Sequence, residues 1–235
     1  MVQDWSNADT AKRWDGNTTR ANPLRTEQLD ILLTLLENSV QLHSWILDLG
    51  YGSGQIEELV FERIPHAKVV GVDNSDAMMT LAKNRLAEYS EKFVSVKGDL
   101  SRLDSLELPA CTYGHVIAVQ SLHHLSREQM QAAYRRIYDL LEPGGLFVLL
   151  DRMRVETFAL WSLYRELWKR QDKLHDTTVA SHEGATFQDH ERIVRDRGDF
   201  PALLDDHLVW LRQVGFEAAC LHAHGNRALI AARKA

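Results

Sequence analysis

The stretch Asp48-Leu49-Gly50-Tyr51-Gly52-Ser53-Gly54 follows the apolar run Trp45-Ile46-Leu47 and decides how the rest of the chain is read. A short apolar run closed by glycines has the pattern of a buried parallel strand entering a tight turn. Glycines let the backbone turn sharply and approach a ligand with no Cβ in the way. The helix that follows presents unpaired N–H groups at its start. The same alternation recurs along the chain, with strands expected at 68–72, 93–97, 115–119 and 146–150 and helices over 56–63, 75–88 and 127–141. Strands alternating with helices predict βαβ units and a parallel sheet.

Element ends agree with this period. Ser75 and Ser126 are placed to cap the starts of two helices, and Pro143-Gly144-Gly145 stops the second before its strand. Upstream, Leu29, Leu32, Leu33 and Leu36 have helical spacing, which predicts a helix over 26–38 with Thr26 as its N-cap. Residues 1–22 are polar, with Trp5 and Trp14 as their large apolar groups, and read as an arm or lid. Beyond Asp151, the residues Phe158, Trp161, Leu163, Tyr164, Leu167 and Trp168 predict an aromatic-rich helix. A polar, His-containing stretch follows over 171–198 and reads as an insertion. A helix over 201–214 leads to apolar runs at 216–221 and 227–232 separated by His224-Gly225-Asn226, the signal of a hairpin that ends the sheet with an antiparallel strand.

Composition bounds the function. The chain has 235 residues, 45% apolar and 26% charged, enough for one α/β core with an appendage. It shows no basic-then-apolar leader and no apolar run near the roughly 20 residues of a membrane span, so a soluble, cytoplasmic protein is expected. Two cysteines, Cys111 and Cys220, are too few for a disulfide framework, a Cys-based zinc site or an iron–sulfur cluster. A formal charge of −6 speaks against a broad phosphate-binding surface, so nucleic acid is not the expected partner. The surplus lies in 11 His and 6 Trp, most of them outside the glycine-rich stretch.

A dinucleotide fingerprint wants G-x-G-x-x-G, but counting from Gly50 the third glycine falls at 54 and position 55 is Gln, which weakens a nicotinamide reading. The other strand ends carry the decision. Val72-Asp73-Asn74 places a carboxylate where it can accept both hydroxyls of a ribose, and Gly98-Asp99-Leu100 places one where it can accept an exocyclic adenine amine. In open α/β sheets ligands sit outside the carboxyl ends of the strands, so these acids converge on one crevice.

Taken with Ser121-Leu122-His123-His124-Leu125 and Leu141-Glu142-Pro143-Gly144-Gly145, these motifs resemble, in order and spacing over about residues 45–151, the class I S-adenosylmethionine-dependent methyltransferases. The resemblance implies a Rossmann-like, doubly wound, three-layer α/β/α fold on a seven-stranded sheet with its last strand antiparallel, plus a helical lid or insertion. It implies S-adenosylmethionine as cofactor, with Gly50, Gly52 and Gly54 lining the methionine part, Asp73 and its neighbour Asn74 at the ribose, Asp99 at the adenine and Leu100 supplying a backbone N–H. Asp48 orients the glycine loop or meets the cofactor ammonium, and Gln120 ends the fourth strand at the same mouth. Tyr51 departs from the family, which usually has a smaller residue there; its ring is expected to crowd the methionine or close over it.

The sulfonium of such a cofactor makes its methyl group electrophilic, so positioning and desolvation supply most of the rate. A base is needed only where the nucleophile carries a proton, and His123 and His124 are the candidates. Arg20, Arg25 and Arg152 are candidates to clamp a substrate carboxylate or phosphate. Trp14, Trp161, Tyr164 and Trp168 are candidates to roof an acceptor pocket, against the alternative that the last three form the inward face of a packed helix. His182-Glu183 and His190-Glu191 fit no compact ligand motif, so no metal is expected. The chain therefore reads as one domain: arm and helix over 1–44, cofactor core over 45–151, insertion over 152–200, and final helix and hairpin over 201–235. The expected activity is methyl transfer to an O, N or C nucleophile of a small molecule by a monomer or homodimer. Two alternatives stand beside it: a tRNA-modifying methyl or carboxymethyl transferase, and a non-catalytic cofactor-binding regulatory protein.

Overall fold

A computed structural model describes residues 4–18 and 22–235. Seven strands form one sheet in the order β3-β2-β1-β4-β5-β7-β6. They are β1 (Trp45–Leu49), β2 (Val69–Asp73), β3 (Phe93–Lys97), β4 (Tyr113–Val119), β5 (Leu141–Arg152), β6 (Phe216–His224) and β7 (Arg227–Lys234). The first five run parallel and β7 lies antiparallel between β5 and β6. The doubly wound α/β fold and its antiparallel end are as the sequence pattern and the resemblance predict. Order reverses between β1 and β4, and it is outside this switch point that open sheets bind ligands.

Both sheet faces are buried because helices cover them. On one, β1, β2 and β5 set Ile46, Val69, Val148 and Leu150 against α2 (Arg25–Glu37) and α3 (Gln55–Arg63), through Leu29, Leu32, Leu36, Val60 and Phe61. On the other, Leu47, Val116, Phe147 and Leu149 pack on α5 (Arg127–Leu140) and α9 (Leu204–Val214), through Tyr134, Ile137, Trp210 and Leu211. Along β1 and β5 alternate residues go to opposite faces, so these strands are apolar throughout.

Local chemistry sets the boundaries. Ser75 accepts from Met78 N at the start of α4 (Asp76–Arg85), and Ser126 with Gln129 closes a capping box on α5. The hairpin turns on Gly225-Asn226, with Gly225 at φ 56°. Thr26 does not cap α2: the helix begins one residue earlier, its N-cap is Leu24, and Arg25 N bonds Asn22 O instead. The arm contains a helix of its own, α1 (Ala8–Asp15), capped by Asn7 and anchored by the buried Ala11. The polar stretch after Gln171 is helical too. Beyond α6 (Trp161–His175) come α7 (Val179–His182) and α8 (Phe187–Arg197), the latter closed by a Thr186–Asp189 capping box.

Candidate active site

The glycine loop is held from three sides. Gly50 N and Tyr51 N both donate to Val72 O (2.8 and 3.3 Å), which ties the loop to the end of β2. Gly50 has φ 87°, and a Cβ there would run into the Ser121 Cβ, so only glycine fits between β1 and β4. Ser121 Oγ in turn donates to Leu49 O at 2.5 Å. Gly52, at φ 59°, has nothing within 4 Å of where a Cβ would stand, which makes it the open wall of the cradle.

Asp73 completes that wall. Its Oδ2 accepts from Gly52 N (2.9 Å) and its Oδ1 from Ser75 N (2.8 Å), so the carboxylate is fixed with lone pairs to spare. Burial raises its pKa, and the bonds from Ser75 and Gly52 oppose that rise. Asp99 ends β3 exposed, oriented by Ser101 N at 2.8 Å, with Leu100 following it into a 3-10 turn. Asn74 is exposed beside Asp73. Gln120 has φ 56°, a left-handed conformation outside glycine of the kind found at ligand sites, and its N donates to Leu150 O.

Beneath the loop, Asp48 and Glu57 are buried against each other and share a hydrogen bond, and no side-chain donor of any other described residue reaches their carboxyl oxygens. Burial pushes Asp48 up to about 6 and Glu57 well above the usual carboxylate range. Glu57 is absent from the sequence reading because nothing local marks a helix glutamate as buried. Tyr51 neither crowds nor closes over the loop: its ring fills the space above Gly71, edge-on to Phe93 at 5.2 Å, with its hydroxyl on Ser95 Oγ at 2.8 Å.

The arm closes over the same loop. Asp15 accepts from Ser53 Oγ, from Gln55 Nε2 at 2.6 Å and from Arg85 at 3.0 and 3.1 Å. Trp14 stands half-buried with its ring 6.0 Å from Trp5 and under the Arg25 guanidinium, and Trp5 also faces His124 at 6.2 Å. Arg20 lies outside the described residues.

His123 and His124 enter from the 3-10 turn after β4, and their partners come from distant segments. Asp151 Oδ1 lies 2.5 Å from His123 Nδ1, and Oδ2 accepts from His123 N at 3.0 Å. Burial alone would raise the Asp151 pKa, but the His123 ring and the bond from Arg152 N hold it below the usual range, so it is an ionised acceptor. His123 Nδ1 therefore carries the proton and Nε2 a lone pair. Burial lowers the His123 pKa, which keeps the ring neutral at neutral pH. Asp199, from the turn after α8, stands 3.7 Å from that Nε2 and 3.3 Å from His124 Nδ1. Burial opposes the charge on His124, but the bond to Asp199 prevails and raises its pKa. His123, His124 and Asp199 offer ligand atoms within 4.8 Å of one another. A protonated His124 paired to Asp199 satisfies both without an ion.

On the far side, Arg152 is buried and forked onto Glu183 at 3.2 Å through both Nη atoms, so its guanidinium is already engaged. Trp161 and Trp168 are buried against each other at 5.4 Å inside the insertion, with Tyr164 half-buried beside Trp168. His190 bonds Glu183 O, and His182 bonds Thr178 O.

The sequence profile of a methyltransferase domain matches residues 46–145. A carboxy-S-adenosyl-L-methionine synthase of Actinobacillus succinogenes is 30% identical over 188 residues, covering 77% of this chain and 73% of the relative. Another, from Nautilia profundicola, is 23% identical over 212 residues, 89% and 85% of the two chains. In fold, the chain is similar to magnesium protoporphyrin IX methyltransferase from Synechocystis PCC 6803 with bound SAH, at TM-score 0.67 and 16% identity over 99% of this chain and 98% of the other. It spans little more than half the length of other methyltransferase structures it matches.

Proposed function

This chain belongs to the class I S-adenosylmethionine-dependent methyltransferase family, and from that premise we propose that it methylates a protonated oxygen or nitrogen of a small-molecule acceptor in the cytoplasm, with His123 as general base. The residues fit the cofactor: an open wall at Gly52, a fixed carboxylate at Asp73, and buried acid beneath a loop that would face a cation. Gly50, Gly52, Gly54, Asp73 and Asp99 would hold it, with Asn74, Leu100 and Gln120 around them. When bound, S-adenosylmethionine supplies an electrophilic methyl group on sulfur.

The observation that carries the base is the asymmetry of His123. Asp151 fixes Nδ1–H, while Nε2 keeps its lone pair and faces a second carboxylate, Asp199, beyond hydrogen-bond distance at 3.7 Å. A lone pair beside an anion favours a proton placed between them. An acceptor O–H or N–H entering there gives its proton to Nε2, and the resulting imidazolium lies between Asp151 and Asp199, stabilised on both sides. The four-segment layout of arm, core, insertion and final hairpin is part of this reading, with Trp14 and the insertion roofing the acceptor side.

Calorimetric titration with S-adenosylmethionine, followed by a screen of hydroxyl- and amine-bearing small molecules for release of S-adenosylhomocysteine, tests the proposal. Turnover that falls in His123→Gln and recovers at higher pH supports it; turnover indifferent to His123 overturns the base. A second reading comes from the relatives that are carboxy-S-adenosyl-L-methionine synthases: a product in which the cofactor itself gains a carboxyl group. Mass spectrometry of nucleosides released from the purified protein separates the two, since a cofactor heavier by one carboxyl in place of one hydrogen favours the second.

A further inference from the structure

Between the insertion and the β6–β7 turn lies a closed ring of contacts with a surplus of hydrogen-bond donors. Arg227 and Arg152 stand directly opposite each other across β7 and β5, on the same face of the sheet. Arg152 is forked onto Glu183, Glu183 Oε2 lies 3.3 Å from His190 Nδ1, and the His190 ring packs 5.0 Å from Trp161. Trp161 meets Trp168 at 5.4 Å, and Trp168 lies against Gly225, which leads through Asn226 back to Arg227.

Within this ring Arg227 Nε and Nη1, Asn226 Nδ2 and Trp161 Nε1 are buried with no hydrogen-bond partner among the described residues. All of them donate. The neighbouring acids are committed elsewhere, Glu183 to Arg152 and His190, Asp151 to His123, Asp199 to His124. Burial, then the like charge of Arg152, push Arg227 down to about 9. An arginine whose buried Nε and Nη1 lack an acceptor is costly, and so is each unpartnered donor. Glu183 shows what the place accepts: it is a carboxylate seated on one of the two opposed arginines.

We propose that the second arginine, Arg227, with Asn226 and Trp161, binds a carboxylate on the methyl acceptor, so that the substrate is an organic acid carrying its nucleophile at a distance from this anchor. The inference rests on the methyltransferase reading, since it names the acceptor's class. Arg227 stands opposite Arg152, which follows Asp151 on β5, and Asp151 holds His123, so the anchor and the proposed base are joined through the end of that strand. An anchor of this kind orients the acceptor without touching the reacting atoms.

The test uses the full chain saturated with S-adenosylhomocysteine and three probes: benzoate, its neutral isostere benzamide, and inorganic phosphate. Calorimetry should show saturable benzoate binding, none for benzamide, and phosphate weaker than benzoate. Arg227→Gln should weaken benzoate about tenfold or more, as loss of a charged hydrogen-bond donor does, while leaving S-adenosylhomocysteine affinity unchanged. Its melting temperature without probe should change little, because Arg227 Nε and Nη1 have no hydrogen-bond partner to lose and the lost attraction to Glu183 and Asp151 is offset by relief of the repulsion from Arg152. Trp161→Phe, which keeps the packing and removes the N–H, gives a second reading should the first variant fold poorly; it too should weaken benzoate. Equal binding of benzoate and benzamide, or benzoate binding indifferent to both substitutions, overturns the proposal and assigns the donors to internal water. Phosphate binding tighter than benzoate overturns the carboxylate. Failure to bind S-adenosylhomocysteine would fall on the methyltransferase reading alone, because the benzoate comparison is readable without it.

Discussion

Replacing Glu57 by Gln tests the shared proton beneath the glycine loop. Asp48 and Glu57 are each 1% exposed, bonded to each other, and reached by no side-chain donor of any other described residue. Two carboxylates cannot both be charged there, so the pair keeps one proton at neutral pH. A carboxyl whose pKa is raised by folding binds a proton that the unfolded chain has already released. Stability is therefore whole below the unfolded pKa, falls as pH climbs through the interval, and stays low above the folded value. For Asp48 that interval runs from 3.8 to about 6. At about 1.4 kcal/mol per pH unit it corresponds to about 3 kcal/mol. In Glu57→Gln the amide N–H donates to Asp48 as the protonated Glu57 does, and the Glu57 proton drops out of the balance. The acids with lowered pKa, Asp151, Glu183 and Asp199, titrate at lower pH and are common to both proteins. Urea denaturation between about pH 4 and about pH 8 should show the native chain losing more than about 3 kcal/mol, because the proton kept on Glu57 adds to the Asp48 interval, and the variant losing clearly less. Parallel stability curves for the two proteins would refute the shared proton.

Four further outcomes follow from the site. Asp73→Ala and Asp99→Ala should each weaken S-adenosylmethionine binding about tenfold to a hundredfold, as charged hydrogen bonds do; calorimetry that finds both unchanged removes the cofactor from this crevice. Asp151→Asn should slow turnover by about 10²-fold or more by allowing the wrong His123 tautomer, with affinity for the cofactor intact, and a pH–rate profile identical to that of the native chain would count against it. Gly50→Ala should destabilise by more than about 1 kcal/mol, from the positive φ and the contact with Ser121, read as a lowered denaturation midpoint. Chelation with EDTA should leave turnover unchanged, because His124 and Asp199 satisfy each other; loss of activity restored by a divalent ion would instead place a metal on His123, His124 and Asp199.

The strand-end loops proposed to hold the cofactor are legible in the sequence because their chemistry is local. Gly50 to Gly54 and Asp73 each act within a few residues of a strand end, and the apolar period that reveals the strand also places the residue. The proposed acceptor half is assembled from segments far apart in sequence. His123 could be singled out from its position after β4, but its character depends on Asp151 behind Nδ1 and on Asp199 in front of Nε2, and Asp199 sits in a polar stretch whose helices are marked only by a Thr186–Asp189 box. In the sequence Arg152 reads as a free clamp, yet Glu183 already occupies it, while nothing local marks Arg227 beside a hairpin turn. Pairing decides these cases, and pairing across a sheet is not written in periodicity: Arg152 and Arg227 become neighbours only when β7 inserts antiparallel against β5. The same topology explains the aromatic surplus. Trp161 and Trp168 are inward because the insertion needs a small core of its own, with Val155, Val179 and Ala180, before it can hold Glu183 and Asp199 over the strand ends. Under the proposed function, Trp168 acts through what that core positions, while Trp161 adds its own N–H beside Arg227, and a change of acceptor would follow more readily from altering Arg227 than from trimming Trp168.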